Sequence, residues 1–256
     1  MSRFFLIFRH YFTRALRDPL NIIVFLCLPL ALVALNMLGL IGMFELAGES
    51  ETSASDIAAT ATVLAAVFMV AFQFFSGELL LYSAYELKEG PMRWRLFASP
   101  APPRMFLAGA SAASWVFNLV QGFLIFGGIA LLFDIYWGNP LILVSVFLLV
   151  SIMSQLIAAL IFQLAPKRKT ASIIINVICF GMMFFSGFLF VPLGNSAIAT
   201  FLTSYGTPLS LAWRAIVYAG PVLDDMSQAV FNLGVLAAIT LVLAALVLIL
   251  GRRREA

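Results

Sequence analysis

Residues 141–165, LILVSVFLLVSIMSQLIAALIFQLA, contain no charged side chain. An α-helix needs about 20 apolar residues to cross the ~30 Å hydrocarbon core of a bilayer, so this run predicts a membrane span. The rest of the chain is similarly apolar, because 63% of its residues are hydrophobic and only 11% are charged. Soluble domains carry roughly a quarter charged residues. The composition therefore predicts an integral membrane protein.

Five further runs resemble this one in length and in their lack of Asp, Glu, Lys and Arg. They lie at about 20–42, 57–77, 105–133, 171–193 and 229–250. A charge at the centre of a span costs about 2.5–3.5 kcal/mol on insertion scales, which explains its exclusion. We therefore expect an all-α integral membrane protein with six transmembrane helices, in which residues 1–256 form a single transmembrane domain.

The basic residues fix the expected orientation. If the N-terminus is cytoplasmic, all of the 15 basic residues except Arg214 lie on the inner side. Cytoplasmic loops of membrane proteins carry an excess of Lys and Arg. Both termini are accordingly predicted to lie in the cytoplasm.

Residues 1–19 predict an amphipathic helix at the membrane interface. Aromatic side chains from Phe4 to Phe12 recur at helical spacing, and Arg14 and Arg17 lie on the opposite side. Aromatic rings enter the acyl boundary while cations meet anionic headgroups. Asp18-Pro19 then disfavours an unbroken continuation into the first span. The alternative is the basic start of a signal peptide, but no convincing small-residue cleavage site follows.

Residues 194–228 differ from the six runs because they contain two apolar pieces that are too short to cross, AIATFLTSY and PLSLAWRAIVYAG. Apolar stretches of about 10–14 residues are often re-entrant or interfacial. The predicted structure is an extracellular re-entrant region before the last span, and a plain outer loop is the alternative. Arg214, beside Trp213, is a candidate gate residue that reaches the outer surface.

Several kinds of chemistry have no residues to support them. The sequence has no G-x-x-x-x-G-K-[ST] phosphate loop, so this chain does not bind ATP in the P-loop manner. Its one histidine is His10, which leaves no histidine-based catalytic or metal site within the spans. We expect no enzyme activity, metal or cofactor in this chain. If this chain is an energy-driven transporter, a separate protein must supply the energy, because the chain has no ATP-binding loop of its own.

Polar residues within the spans are candidates for a substrate pathway, and these are Gln73, Asn118, Gln121 and Gln155. The alternative is a structural role, because such side chains also hydrogen-bond between helices at about 0.6–2 kcal/mol each. Glu78 follows the second apolar run and is a second candidate gate residue. Its alternative position is the hydrated headgroup zone.

Residues 85–104, YELKEGPMRWRLFASPAPPR, gather charge and proline between the second and third runs. Glu86-Leu-Lys-Glu-Gly90, a short amphipathic stretch and Ala98-Ser99-Pro100 resemble the cytoplasmic coupling helix of type-2 ABC exporter permeases. Three more stretches are similar to that family in order: Arg17-Asp18-Pro19, FFSGFLFVPL (184–193) and TPLSLAWRAI (207–216). One departure is Arg93-Trp94-Arg95, where the family often has an acidic residue.

The resemblance implies a permease subunit of an ATP-driven ABC exporter, with residues 82–104 as the cytoplasmic coupling loop. Two copies of an ABC ATPase subunit, carrying ATP and Mg, would dock on Glu86, Glu89, Gly90, Arg93, Trp94, Arg95, Leu96 and Pro100. A second permease subunit is implied, with a homodimer expected and a heterodimer as the alternative. The cargo would be amphipathic or lipid-like, the location the plasma membrane of a prokaryote, and no nucleic acid is involved. The rival function is a stand-alone channel or uniporter without an ATPase.

The physical character of the coupling loop agrees with a docking role. Gly90 gives backbone freedom and Pro91 suits the first turn of a helix. Met92 and Leu96 share one helical face, and Trp94 is a candidate anchor for a partner's groove. The alternative is a membrane-surface loop whose cations only obey the topology rule.

Overall fold

The computed structural model describes residues 3–47, 54–90, 102–133, 135–186 and 196–253. These residues fold into helices joined by short connections, and none of them forms a strand. The elements in chain order are α1 (Arg3–Arg17), α2 (Pro19–Ile22), a π-helical segment (Ile23–Cys27), α3 (Leu28–Ala47), α4 (Ala54–Phe75), α5 (Gly77–Glu89), α6 (Pro103–Phe133), α7 (Pro140–Leu164), α8 (Arg168–Phe185), α9 (Ala197–Tyr205), α10 (Pro208–Tyr218) and α11 (Met226–Arg253).

Five stretches within the described residues are long and apolar enough to cross a membrane. They are Thr62–Glu89, Met105–Leu132, Pro140–Leu164, Arg168–Phe185 and Met226–Gly251. These stretches correspond to the second through sixth predicted spans, so the described residues agree with the predicted all-α membrane fold. The predicted first span falls on α2, the π-helical segment and α3. Six crossings in total stay a prediction.

The bundle has two chemically different ends. At one end α1, the end of α5 and the start of α8 come together, and we call this the basic end because Arg14, Lys88 and 167–169 lie there. The Tyr85 hydroxyl donates to the Ala165 carbonyl at 2.8 Å, and Gln163 donates to the Val247 carbonyl at 3.2 Å. Those bonds join the ends of α5, α7 and α11, so all three helices end at the basic end.

The opposite end is built around α10, which packs against α4, α7, α8 and α11. Thr207 caps this helix, because its hydroxyl accepts from the Ser210 amide at 3.1 Å, and Pro208 follows at the first position. Most of the α10 side chains are buried. The predicted apolar piece PLSLAWRAIVYAG is therefore a packed helix, while its placement as re-entrant stays a prediction.

The helix predicted at the N-terminus is present as α1. Asp18 ends it and caps α2, since its carboxylate accepts from the Leu20 amide at 3.0 Å and Pro19 occupies the first position of α2. The apolar face of α1 packs on α6, where Gly109 lets Ile7 approach closely. Phe4 and Phe5 remain largely exposed. Interfacial placement of α1 stays a prediction.

The third predicted span forms one continuous helix, α6, of 31 residues. Gly127 and Gly128 lie inside it without breaking it. An added Cβ at Gly128 would lie 3.2 Å from Leu30 Cδ2, so this glycine admits a side chain of α3. Gly128 thus marks a close contact between α6 and α3, whereas an added Cβ at Gly127 meets nothing within 4 Å.

Candidate functional site

The predicted docking residues fall into two groups. Glu86, Glu89 and Gly90 lie at the end of α5, at the basic end of the bundle. The other five, Arg93, Trp94, Arg95, Leu96 and Pro100, lie outside the described residues. Their docking role stays a prediction.

Glu86 binds within its own chain. Its carboxylate Oε2 lies 2.5 Å from Arg14 Nη1 of α1, and this bond raises the pKa of Arg14. Burial and then the charge of Glu86 raise the pKa of Tyr11, one turn away on α1, to about 12. The Arg14 guanidinium also lies 5.7 Å from the Tyr82 ring centroid. The N-terminal helix is therefore bound to the first part of the predicted coupling loop, residues 82–104, which is the helical end of α5.

Gly90 ends α5, but not for the reason expected from the sequence. Its backbone is extended, with φ −74° and ψ 162°, which any residue adopts, so the expected need for special backbone angles is wrong. Its amide donates to the Glu86 carbonyl at 2.8 Å. An added Cβ would lie 2.3 Å from that carbonyl oxygen, so glycine is required by close approach.

Glu78 lies in a cavity at the basic end, between α2, α5 and α8. The Ser172 hydroxyl donates to the Glu78 carboxylate. The cavity has a volume of about 340 Å³ and is lined by Asp18, Leu20, Asn21, Val24, Glu78, Leu79, Leu81, Tyr82, Arg168 and Ser172. Arg168 is stacked 4.0 Å from the Tyr82 ring centroid. The lining combines both signs of charge with aliphatic side chains, as an amphipathic molecule would require.

The helix of the second predicted span is interrupted at Ser76, between α4 and α5, and we call this interruption the kink. Ser76 occupies the turn, and its hydroxyl donates to the Gln73 carbonyl at 2.7 Å. Ser154 of α7 donates to the Phe74 carbonyl at 3.0 Å, which satisfies a backbone acceptor near the kink. At Gly77 an added Cβ would lie 2.8 Å from the Ser154 carbonyl oxygen. The kink is thus fixed by hydrogen bonds and by close contact with α7.

The four amide residues predicted to line a pathway are buried inside the chain. Gln73, Asn118, Gln121 and Gln155 are 1%, 0%, 3% and 7% exposed. Asn118 donates to the Gln73 carbonyl and Gln73 donates to the Phe147 carbonyl, each at 3.2 Å. These bonds link α4, α6 and α7 next to the kink.

The remaining polar atoms of these amides have no hydrogen-bond partner among the described residues, and both amide atoms of Gln121 and Gln155 are in that group. A buried amide without a partner is costly. The pathway-lining role of all four stays a prediction.

Arg214 lies on α10, away from the cavity that contains Glu78. Its guanidinium is 5.2 Å from the Trp213 ring centroid. The two predicted gate residues therefore occupy opposite ends of the bundle. Neither gate role is decided by this placement.

The sequence did not indicate a role at this site for four residues that surround Glu78 and Glu86. Arg14, Tyr82, Arg168 and Ser172 make the described contacts with those two carboxylates or with one another. One signal was available, since Glu78, Tyr82 and Glu86 are four residues apart on α5 and share a face. Their partners on α1 and α8 are distant in sequence, so spacing does not reveal them.

The sequence model of one protein family, described as ABC-2 family transporter protein, matches residues 41–249. The match covers most of the chain, from within α3 to Ile249 in α11. No curated protein matches the chain.

Proposed function

Because the chain belongs to the ABC-2 transporter family, we propose that it is the permease subunit of an ATP-driven exporter, moved by separate ATPase subunits. Family membership is the observation that carries this proposal. It makes the chain the membrane component of an ABC transporter. We propose further that two ATPase subunits bind two permease subunits, which are identical in the simplest assembly.

The coupling loop, residues 82–104, is the proposed docking segment. Support comes from its first part, because α5 ends at the basic end and Glu86 is bound to Arg14 of α1. A push on the loop would reach α1 through this ion pair and would reach the kink at Ser76 through α5. Under the positive-inside rule this end is cytoplasmic, where an ATPase binds ATP.

The proposed cargo is amphipathic or lipid-like. The Glu78 cavity supports this class, because Asp18, Glu78 and Arg168 lie beside Leu20 and aliphatic residues of α5. A polar headgroup would contact the charged side chains while an apolar portion contacts the leucines. The buried amides near the kink form a second polar region that the cargo would meet farther along the bundle.

The proposed ATPase partner is tested by purifying the chain from its native host. We expect an ABC ATPase to copurify, and we expect ATP hydrolysis that depends on the permease. If no ATPase copurifies and the ATPase encoded beside the permease gene gives no coupled hydrolysis, the exporter proposal fails. Passive flux through the chain alone in vesicles would then favour a channel or uniporter.

The docking segment is tested by Trp94→Ala and Leu96→Asp. Both variants should insert normally but lose most ATP-driven transport, since each removes an apolar contact from the proposed dock. Tyr136→Ala is the control, because Tyr136 is an aromatic residue that is 73% exposed near the opposite end. Normal transport by both loop variants would show that the ATPase docks elsewhere.

A further inference from the structure

A separate groove lies at the basic end, on the other side of α5 from the Glu78 cavity. Leu80, Ala84 and Lys88 line this groove, and their spacing of four residues puts them on one face of α5. Glu78 and Tyr82 lie on a different face, in the cavity already described. The two spaces are therefore separate sites.

The groove runs between α6 and α11. Helix α6 packs on α5 and α7, and α11 packs on α7 and α10, so α5 and α7 form the floor. The space has a volume of about 550 Å³, within the usual range for a small-molecule site. Leu107 of α6 and Val247 of α11 stand on its two sides. Leu107 is 37% exposed, so the groove opens on the side of the helix bundle, the surface on which a membrane protein contacts lipid.

Aromatic side chains next to the groove contact its charged residue, Lys88. The Tyr85 hydroxyl is bonded to the Ala165 carbonyl, and its ring meets the Phe162 ring edge to face at a centroid distance of 5.1 Å. The Lys88 ammonium lies 5.4 Å from the Tyr85 ring centroid and 5.7 Å from that of Phe162. These contacts hold the ammonium at the mouth of the groove.

The lining of the groove is mostly apolar and its charge is positive. Among the residues that the structure describes, Lys88 is the one charged lining residue, no Asp or Glu lines the groove, and most of the other lining side chains are apolar. Gln163 donates to the Val247 carbonyl, and its own carbonyl oxygen is buried without a partner among the described residues. Because that oxygen is buried, the polar feature open to a ligand is the Lys88 cation, and an apolar groove with a cation at one end matches a phosphate ester that carries an acyl chain.

We propose that this groove binds an anionic phospholipid of the surrounding membrane, with one acyl chain along α5 and α7 and its phosphate at Lys88. The bound lipid would be a resident component of the fold. It does not occupy the cargo site, because the Glu78 cavity lies on the other face of α5. The proposal needs only that the chain is a membrane protein, so it stands or falls independently of the ATPase partner.

The test is native mass spectrometry of the full chain, released from nanodiscs with equal amounts of phosphatidylglycerol and phosphatidylcholine. Wild type should retain phosphatidylglycerol in preference. Lys88→Gln should lower that retention about fivefold, since one basic residue contributes about 1 kcal/mol toward anionic lipid. Lys169→Gln is the control, because Lys169 lines a different space. This variant should retain the lipid as wild type does.

Leu107→Trp tests the groove without changing its charge. Leu107 is partly exposed, so a larger side chain there should fold and should lower the retention of phosphatidylglycerol by filling the channel. Equal retention of the two lipids by wild type, or unchanged retention in Lys88→Gln, would overturn the proposal. Unchanged retention in Leu107→Trp would also overturn it, because the retained lipid would then bind outside the groove.

Discussion

The two ends of the bundle are held together by different means. At the opposite end, backbone packs on backbone: the Asn139 amide donates to the Ala219 carbonyl at 3.2 Å, and Gly138 lies against the same carbonyl. At the basic end, long side chains such as Arg14 and Glu86 join the helices. Cavities of about 340 and 550 Å³ separate the helices there.

The difference indicates which end moves. Where backbone packs closely on backbone, the region has a single favourable conformation, and small changes in side-chain volume destabilise it. An exposed or half-exposed ion pair contributes only about 0–1 kcal/mol and reforms easily in another geometry. In a permease driven at the coupling loop, we expect the basic end to rearrange while the opposite end turns as a unit. Substitutions should accordingly affect mainly stability at the opposite end and mainly coupling at the basic end.

The largest effect on stability is expected from Gly138→Ala. Gly138 has φ +76°, and an added Cβ would lie 2.1 Å from the Ala219 carbonyl oxygen. The left-handed backbone alone costs an L-residue about 1–2 kcal/mol, and overlap with the backbone of 219–220 adds about 1–3 kcal/mol. Thermal unfolding in detergent should occur at a clearly lower temperature.

Gly127→Ala is the control for Gly138→Ala. Gly127 lies within a helix, and an added Cβ there meets nothing within 4 Å. Alanine should leave stability unchanged or raise it by up to about 1 kcal/mol. Equal melting of the two variants would contradict the view that the opposite end is fixed by backbone contact.

A second, smaller effect is expected from Gly77→Ala at the kink between the two ends. The new Cβ would lie 2.8 Å from the Ser154 carbonyl oxygen, so α5 must move away from α7 at a cost of about 1–3 kcal/mol. Because α5 leads into the coupling loop, we expect loss of coupled ATP hydrolysis as well as lower stability.

Gly181→Ala is the matched control for Gly77→Ala, since nothing lies within 4 Å of its added Cβ. Both variants are compared by thermal unfolding and by ATP hydrolysis with the partner ATPase. If Gly77→Ala lowers stability but leaves coupling intact, the kink is structural only.

The sequence predicted the spans well because exclusion of charge from a bilayer is a strong and local constraint. The run at 141–165 became α7, Pro140–Leu164, and Asp18-Pro19 ended α1 as predicted. Each of these results depends on neighbouring residues alone. Local composition and spacing therefore indicate these two boundaries, whereas the second predicted run ends at about 77 and α5 continues to Glu89.

The contacts between helices were beyond the sequence. Nothing near Glu86 indicates that its partner is Arg14, and nothing near Gln73 indicates that Asn118 donates to its carbonyl. Gly90 shows the same limit, because a glycine needed for close approach looks like a glycine needed for its backbone angles. Packing partners are set by the three-dimensional arrangement, which a single sequence does not reveal.

At the basic end, Tyr85→Phe should have a moderate effect. It removes a buried hydroxyl that donates to the Ala165 carbonyl at 2.8 Å, and leaves the carbonyl unpaired. We expect a loss of about 0.5–1.5 kcal/mol, measured by unfolding in detergent. Tyr82→Phe is the control, because its ring makes the contacts with Arg14 and Arg168. If Tyr82→Phe loses more unfolding free energy than Tyr85→Phe, the Tyr82 hydroxyl contributes more to stability than the Tyr85 hydrogen bond, which contradicts the prediction.

The smallest effect on stability is expected from breaking the Arg14–Glu86 ion pair. The two side chains are 43% and 31% exposed, so Arg14→Gln or Glu86→Gln should cost less than about 1 kcal/mol, and high salt should remove the difference. If the pair transmits movement between α1 and the coupling loop, coupled ATP hydrolysis should fall in both variants by far more than stability does. The exchanged double variant Arg14→Glu with Glu86→Arg should restore part of it. If both single variants lose coupled hydrolysis and the double variant does not restore it, Glu86 acts on the ATPase directly. The ion pair would then hold α1 in place without transmitting movement to it.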